Sequence, residues 1–274
     1  MSNEYATVIF LHMPKCGGTT LHQILERHYP EEAMYTTNGA QPSASIRQFA
    51  AMPRATRNKI CLVKGHMPFG VHRFVRPPAT YCTLLRDPVE RIVSLYYYVL
   101  RQPDHYLHDQ VSAAQMTLDD FVLSEISRSL NNAMTMKLVL DPFSAAPVPD
   151  SAAGCLERAK EVLDNYFAIV GLIEQFDETL LLMGQRFGWR HLCYTRRNVT
   201  TNRPRLEEVP LSTVELIRER NALDLALYAM AVDRLRNEIG GEGPTFRRRV
   251  GWFRLRNRAR QALLFQKPTF RPSL

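Results

Sequence analysis

The chain has 274 residues, of which 45% are hydrophobic and 23% charged, with a net charge of +8. That composition is ordinary for a soluble globular protein and the length suits one large α/β domain, whereas no apolar run reaches the roughly 20 residues of a transmembrane helix. Nine basic and no acidic residues lie between Thr245 and the C-terminus, so the first 244 residues sum to −1, which argues against a nucleic-acid footprint spread over the fold.

The N-terminal Met1-Ser2-Asn3-Glu4-Tyr5 has neither the positive flank nor the apolar stretch of a secretory signal. The five cysteines, at positions 16, 61, 82, 155 and 193, form no Cys-x-x-Cys pair, which suits reduced thiols and a cytoplasmic protein. Cys61, Cys82 and Cys193 are expected to be small core residues.

Thr7 to Leu11 reads as a strand, followed by the loop His12-Met13-Pro14-Lys15-Cys16-Gly17-Gly18 and a helix from about Thr19 to Arg27. Strand, glycine loop and helix in that order turn backbone N–H groups and a positive dipole end toward one point, where a phosphate or sulfate fits. A polar stretch with one short helix near Ser45 to Ala51 precedes a second strand, Lys59 to Lys64, which ends at Gly65-His66-Met67-Pro68-Phe69-Gly70. A third strand, Thr80 to Leu85, meets Arg86-Asp87-Pro88-Val89-Glu90-Arg91. There Asp87 is an N-cap, Pro88 fits the first helical position, and Glu90 sits where a capping-box carboxylate reaches back. This helix runs to about Leu100, with Arg91 and Ser94 on the Asp87 face.

A helical pattern opens at the Thr117/Asp120 cap pair and is broken between about Ser127 and Leu140; a Pro/Ala loop spans Asp141 to Asp150. A helix from Ala152 to Asn165, a strand from Phe167 to Leu172 and a helix from Glu178 to Phe187 follow. Trp189 to Pro210 reads as an ordered loop, Ser212 and Glu215 as a capping box, and Asn221 as the cap of a helix that Gly240 and Gly241 stop. Beyond Phe246, Trp252, Leu255, Ala259 and Leu263 recur at helical spacing among arginines. That pattern fits either a basic amphipathic helix able to lie on an anionic membrane or a solvated tail.

Strands alternating with helices predict a three-layer α/β fold with a mostly parallel sheet, whose ligands bind beyond the carboxyl ends of the strands. Lys15, His66 and Arg86 all emerge at that edge. Lys15 beside two glycines suits an anion contact, His66 after a strand suits a general base, and Arg86 with Ser94 suits a second anion site. His105 and His108 lack a third ligand nearby, so no metal is expected. The lysine precedes the glycines, unlike the Walker A order G-x-x-x-x-G-K-[ST] of a P-loop kinase.

Pro14-Lys15-Cys16-Gly17-Gly18-Thr19-Thr20 resembles the 5′-phosphosulfate loop of sulfotransferases that use 3′-phosphoadenosine-5′-phosphosulfate (PAPS). The segment from Leu85 to Tyr98 is similar to their 3′-phosphate motif, in the form found in the heparan sulfate 2-O-sulfotransferase and uronyl 2-sulfotransferase group. Lys64-Gly65-His66-Met67-Pro68-Phe69 and Val170 to Thr179 extend the likeness over most of residues 6 to 240. The resemblance implies a P-loop-like fold and a carbohydrate sulfotransferase that needs no metal. Lys15, Cys16, Gly17, Gly18, Thr19 and Thr20 would hold the phosphosulfate, and Arg86 and Ser94 the 3′-phosphate. His66 would be the base, Lys15 would stabilise the leaving phosphate, and Arg197, in a basic loop near cofactor and acceptor, would contact the acceptor or the cofactor. The expected organisation is a sulfotransferase domain over 1–244 and a basic tail over 245–274. A nucleotide kinase, and a non-catalytic anion-binding module acting through the tail, are the alternatives.

Overall fold

A computed structural model describes residues 5–195 and 204–265. In chain order the elements are β1 (Thr7–Leu11), α1 (Gly18–Leu25), β2 (Met34–Thr36), α2 (Pro42–Ala51), α3 (Arg54–Arg57), β3 (Leu62–Gly65), β4 (Ala79–Leu85), α4 (Pro88–Arg101), α5 (His108–Ala113), α6 (Leu118–Leu123), α7 (Ala133–Val139), α8 (Ala152–Tyr166), β5 (Phe167–Leu172), α9 (Phe176–Phe187), α10 (Leu211–Arg220), α11 (Ala222–Gly241) and α12 (Gly243–Phe265). The strands form one parallel sheet in the order β2-β3-β1-β4-β5. Every residue of β1 and β3 is buried, as expected of strands covered on both faces by crossover helices. The expected parallel α/β fold is therefore the one observed. The chain leaves β1 toward β2, returns through β3 and crosses to β4, so the switch point lies beyond the ends of β1, β3 and β4.

Several elements differ from expectation. The second strand begins at Leu62 and not Lys59, and Cys61 is half-buried, whereas Cys82 and Cys193 are core residues. The edge strand β2 has three residues, too few for a period-two pattern to show in the sequence. The predicted break after Ser127 ends at Asn132, and α7 occupies the rest of it. Thr117 and Asp120 form the expected capping box. Ser212 does not, because α10 already starts at Leu211 behind Pro210, inside which a serine has no cap to make. Part of the predicted tail packs on the domain: α12 places Phe246, Val250 and Phe253 in the main core, while 266–274 lie outside the described residues. A second core joins α4, α5, α6 and α10 through Ile92, Val99, Phe121 and Ile217.

Asn221 precedes α11 as expected, but its side chain caps nothing of its own helix. Its carbonyl oxygen accepts from Asn132 N (3.1 Å) and Arg91 Nη2 (3.3 Å). Asn132 in turn caps α11, its Oδ1 accepting from the N–H groups of Leu223 and Asp224 at 2.9 and 3.2 Å. Asp224 caps α7, accepting from the N–H groups of Met134 (3.0 Å) and Thr135 (2.8 Å) and from the Thr135 hydroxyl (2.8 Å). The two helices thus exchange caps. Arg91, wholly buried, completes the cluster with Asp224 at 3.7 Å and the Ser129 carbonyl at 2.9 Å.

Removing the carboxylate strands both the Arg91 charge and two helix N–H groups away from water. Asp224→Ala is expected to lower stability by about 3–5 kcal/mol, measured by urea unfolding; a loss no larger than that of an exposed substitution would show that the cluster contributes nothing.

Candidate active site

The loop after β1 bends sharply because Lys15 (φ 65°) and Gly17 (φ 79°) both take left-handed backbone conformations. Alternation of this kind turns successive N–H groups to one side. A Cβ on Gly17 would also crowd Ile173 Cδ1 at 2.9 Å, and a Cβ on Gly18 would collide with the His12 ring. Cys16 N–H is used within the turn, donating to Met13 O at 3.3 Å, and Thr20 N–H donates to Gly17 O at 3.2 Å. The N–H groups of Gly17 and Gly18 have no acceptor among the described residues. They are therefore the open donors at the start of α1, where the helix dipole adds its positive end. Burial pushes the Cys16 thiol up to about 12, so it is a packed neutral group and no nucleophile.

Parallel register aligns Leu11 with Gly65, and His12 N–H extends the ladder by donating to Gly65 O at 3.0 Å. The next residues on the two strands, His12 and His66, are consequently neighbours, and their rings stack at 4.2 Å. Phe10 stacks on the other side of His12 at 5.6 Å. His66 Nδ1 lies 3.2 Å from the carbonyl oxygen of His12. A carbonyl only accepts, so Nδ1 carries the proton and Nε2 keeps its lone pair. Burial, and after it the charge of Lys137, lowers His66 to about 4. His66 is a neutral imidazole of fixed tautomer.

Arg86 closes the other side. Its guanidinium donates to the Lys15 carbonyl (3.2 Å) and to Glu90 (2.8 Å), tying the end of β4 to the loop after β1. Glu90 therefore does not reach back to the Asp87 N–H as a capping box would; that N–H donates to Glu174 at 3.1 Å, while Asp87 accepts from Glu90 N at 3.0 Å. Glu90, Ser94 and Tyr98 follow Arg86 at spacings of four and so share one stripe of α4. Ser94 is 5% exposed and its hydroxyl has no partner among the described residues. At the far end of the stripe the Lys15 ammonium sits 3.5 Å from the centre of the Tyr98 ring. Thr19 is exposed and Thr20 buried. Arg197 lies outside the described residues.

Sequence reasoning missed Lys137. It lies on α7, within the stretch read as a break, and its carbonyl accepts from Phe69 N (3.4 Å) in the loop that carries His66. Its ammonium has no hydrogen-bond or ion-pair partner among the described residues, and burial lowers it to about 8. Its charge depresses both His66 and His12. The available signal was a single cation inside the otherwise uncharged run from Ala133 to Leu140. His12 and Tyr98 were also missed as site residues, because stacking and cation contacts across elements leave no trace in local spacing.

The Lys137 charge disfavours the His66 imidazolium, so Lys137→Met is expected to raise the His66 pKa from about 4 while burial keeps it below the ordinary 6.5. Histidine titration by NMR reads this directly, and an unmoved His66 would show that the two groups are not coupled.

The sequence profile of the family described as galactose-3-O-sulfotransferase matches residues 2–270. Galactose-3-O-sulfotransferase 3 of Bos taurus is 28% identical over 247 residues, 82% of this chain and 56% of the relative. The uronyl 2-sulfotransferase homolog pip of Drosophila melanogaster is 23% identical over 217 residues, 66% of this chain and 41% of the relative. Heparan sulfate 2-O-sulfotransferase 1 of Gallus gallus is 28% identical over 116 residues, 40% of this chain and 32% of the relative. The chain spans about half the length of the galactose-3-O-sulfotransferases it matches. The likeness drawn from the loop and the Arg86 motif holds, and the family profile carries it over residues 2–270. The protein belongs to the galactose-3-O-sulfotransferase family.

Proposed function

We propose that this protein transfers the sulfuryl group of PAPS to a hydroxyl of a carbohydrate. The observation that carries this reading is the meeting, at one end of the sheet, of two open N–H donors (Gly17 and Gly18), the Lys15 cation and a histidine whose free nitrogen is a base. The donor supplies an activated sulfur with a phosphate leaving group. His66 Nε2 takes the acceptor's hydroxyl proton as the new oxygen–sulfur bond forms and the bond from sulfur to the phosphate oxygen breaks. Lys15 and the Gly17 and Gly18 N–H groups meet the charge released on that oxygen. Each such donor is typically worth about 3 kcal/mol in the transition state, and a positioned base roughly 10²–10⁴-fold.

Arg86 and Ser94 would hold the 3′-phosphate. Arg86 has a guanidinium anchored on Lys15 O and Glu90, and the Ser94 hydroxyl is unengaged among the described residues. For this Arg86 would share itself between Glu90 and the phosphate. Lys137 adds a third cation beside His66. Bound polyanion would favour both protonated forms, so the base strengthens as the donor binds. The relatives' names make a galactose hydroxyl the first acceptor to try.

Calorimetry with 3′-phosphoadenosine 5′-phosphate in the absence of magnesium is expected to show binding that Arg86→Ala abolishes. Undiminished binding by that variant would remove the 3′-phosphate assignment, and a requirement for magnesium with preference for ATP would overturn the sulfotransferase reading. With labelled PAPS and a panel of galactosides, other sugars and phenols, His66→Gln is expected to keep nucleotide binding and lose at least a hundredfold in turnover. Normal turnover in that variant would exclude His66 as the base.

A further inference from the structure

The helix α12 has two working faces. Phe246, Val250, Phe253 and Asn257 are buried on one, and Asn257 accepts from Tyr194 N at 2.9 Å. Arg254 fastens the same side to Asp177 and Glu178 at the start of α9, at 3.3 and 2.7 Å. At roughly 100° per residue, Trp252, Leu255 and Ala259 fall on the opposite side. Trp252 is 75% and Leu255 60% exposed, and Trp252 is the most exposed large hydrophobic among the described residues.

Arg247, Arg248, Arg249, Arg256 and Arg258 border this strip and are exposed, with no carboxylate partner among the described residues. No acidic residue lies on the helix, and the protein's whole positive excess is concentrated from Thr245 onward. The fold has thus satisfied α12 on one side and left an aromatic-aliphatic strip with a cationic rim on the other.

We propose that this outer face docks on an anionic lipid surface, with Trp252, Leu255 and Ala259 in the headgroup–acyl boundary and the arginines on the lipid phosphates. Charge complementarity selects an anionic partner. The aliphatic members of the strip favour a bilayer over a nucleic acid or a soluble glycan, because neither offers hydrocarbon to Leu255 and Ala259. Arg254 holds α12 against the first turn of α9, which follows the carboxyl end of β5. The helix that bears the docked face is therefore anchored near the end of the sheet that carries the candidate active site.

The full chain is incubated with phosphatidylcholine vesicles, with and without phosphatidylserine, and sedimented. Binding is expected only with phosphatidylserine, weakening as salt rises, with a blue shift of Trp252 emission; Trp189 is buried and supplies a constant background. Trp252→Ser with Leu255→Ser is expected to weaken binding at least tenfold while leaving the thermal midpoint and nucleotide binding unchanged, since both side chains are exposed. Leu211→Ser, which removes a 68% exposed leucine elsewhere, should leave it intact. Three results would overturn the proposal: equal binding to uncharged vesicles, indifference to the Trp252/Leu255 change, or binding to RNA or heparin with none to vesicles.

Discussion

The buried cluster of Arg91, Asp224, Asn132 and Asn221 is the constraint on which the rest depends. An isolated charge pair in a protein interior is costly, and its attraction offsets that cost only where further hydrogen bonds engage the two groups. Here Asp224 meets that condition by accepting three hydrogen bonds from α7 besides facing Arg91. The seven residues of α7 are far too few to hold a helix unaided. Its N-terminus exists because a carboxylate from α11 replaces the missing acceptors, and α11 begins where Asn132 does the same in return. Arg91 binds that exchange to α4, the helix that carries Arg86 at its entry and Ser94 and Tyr98 along its length. Positions as distant in sequence as Lys137 and Arg86 are thereby fixed relative to one loop.

The electrostatics of the site follow from this placement. Lys15, Arg86 and Lys137 gather around the β1 loop, and Glu90, the acid paired with Arg86, belongs to α4 and not to the loop. His66 is kept uncharged by burial first and by Lys137 second, and its tautomer is set by a backbone carbonyl. A histidine placed this way responds to what binds beside it, since negative charge opposes the effect of the lysine. The stack of Phe10, His12 and His66 leaves Gly18 no room for a side chain. The loop glycines are thus explained by two separate needs: left-handed backbone and ring contact at Gly17 and Gly18 respectively.

Much of this could be read along the chain. The strand runs around Ile9, Leu84 and Val170, the Asp87 cap with Pro88, and the residues leaving the strand ends at Lys15, His66 and Arg86 are local signals, and the elements formed where those signals lay. The Asn221 position was legible, although its partner was not. For α12, spacing correctly grouped Trp252, Leu255 and Ala259 on one face. The core instead took the opposite face, through Phe246, Val250 and Phe253, on the side where α12 is fastened to α9.

The sequence by itself determined the parallel α/β class, the order of loop and helix after β1, and the convergence of a lysine, a histidine and an arginine on one sheet edge. These depend on hydrophobic period, caps and glycine conformation, all short-range in the chain. Only the tertiary structure decided that His12 would stack on His66, that Lys137 would join them, that Glu90 would turn from its cap to Arg86, and which side of α12 would face outward. Each of those depends on register or packing between segments tens of residues apart. A single chain's local pattern carries no term for that.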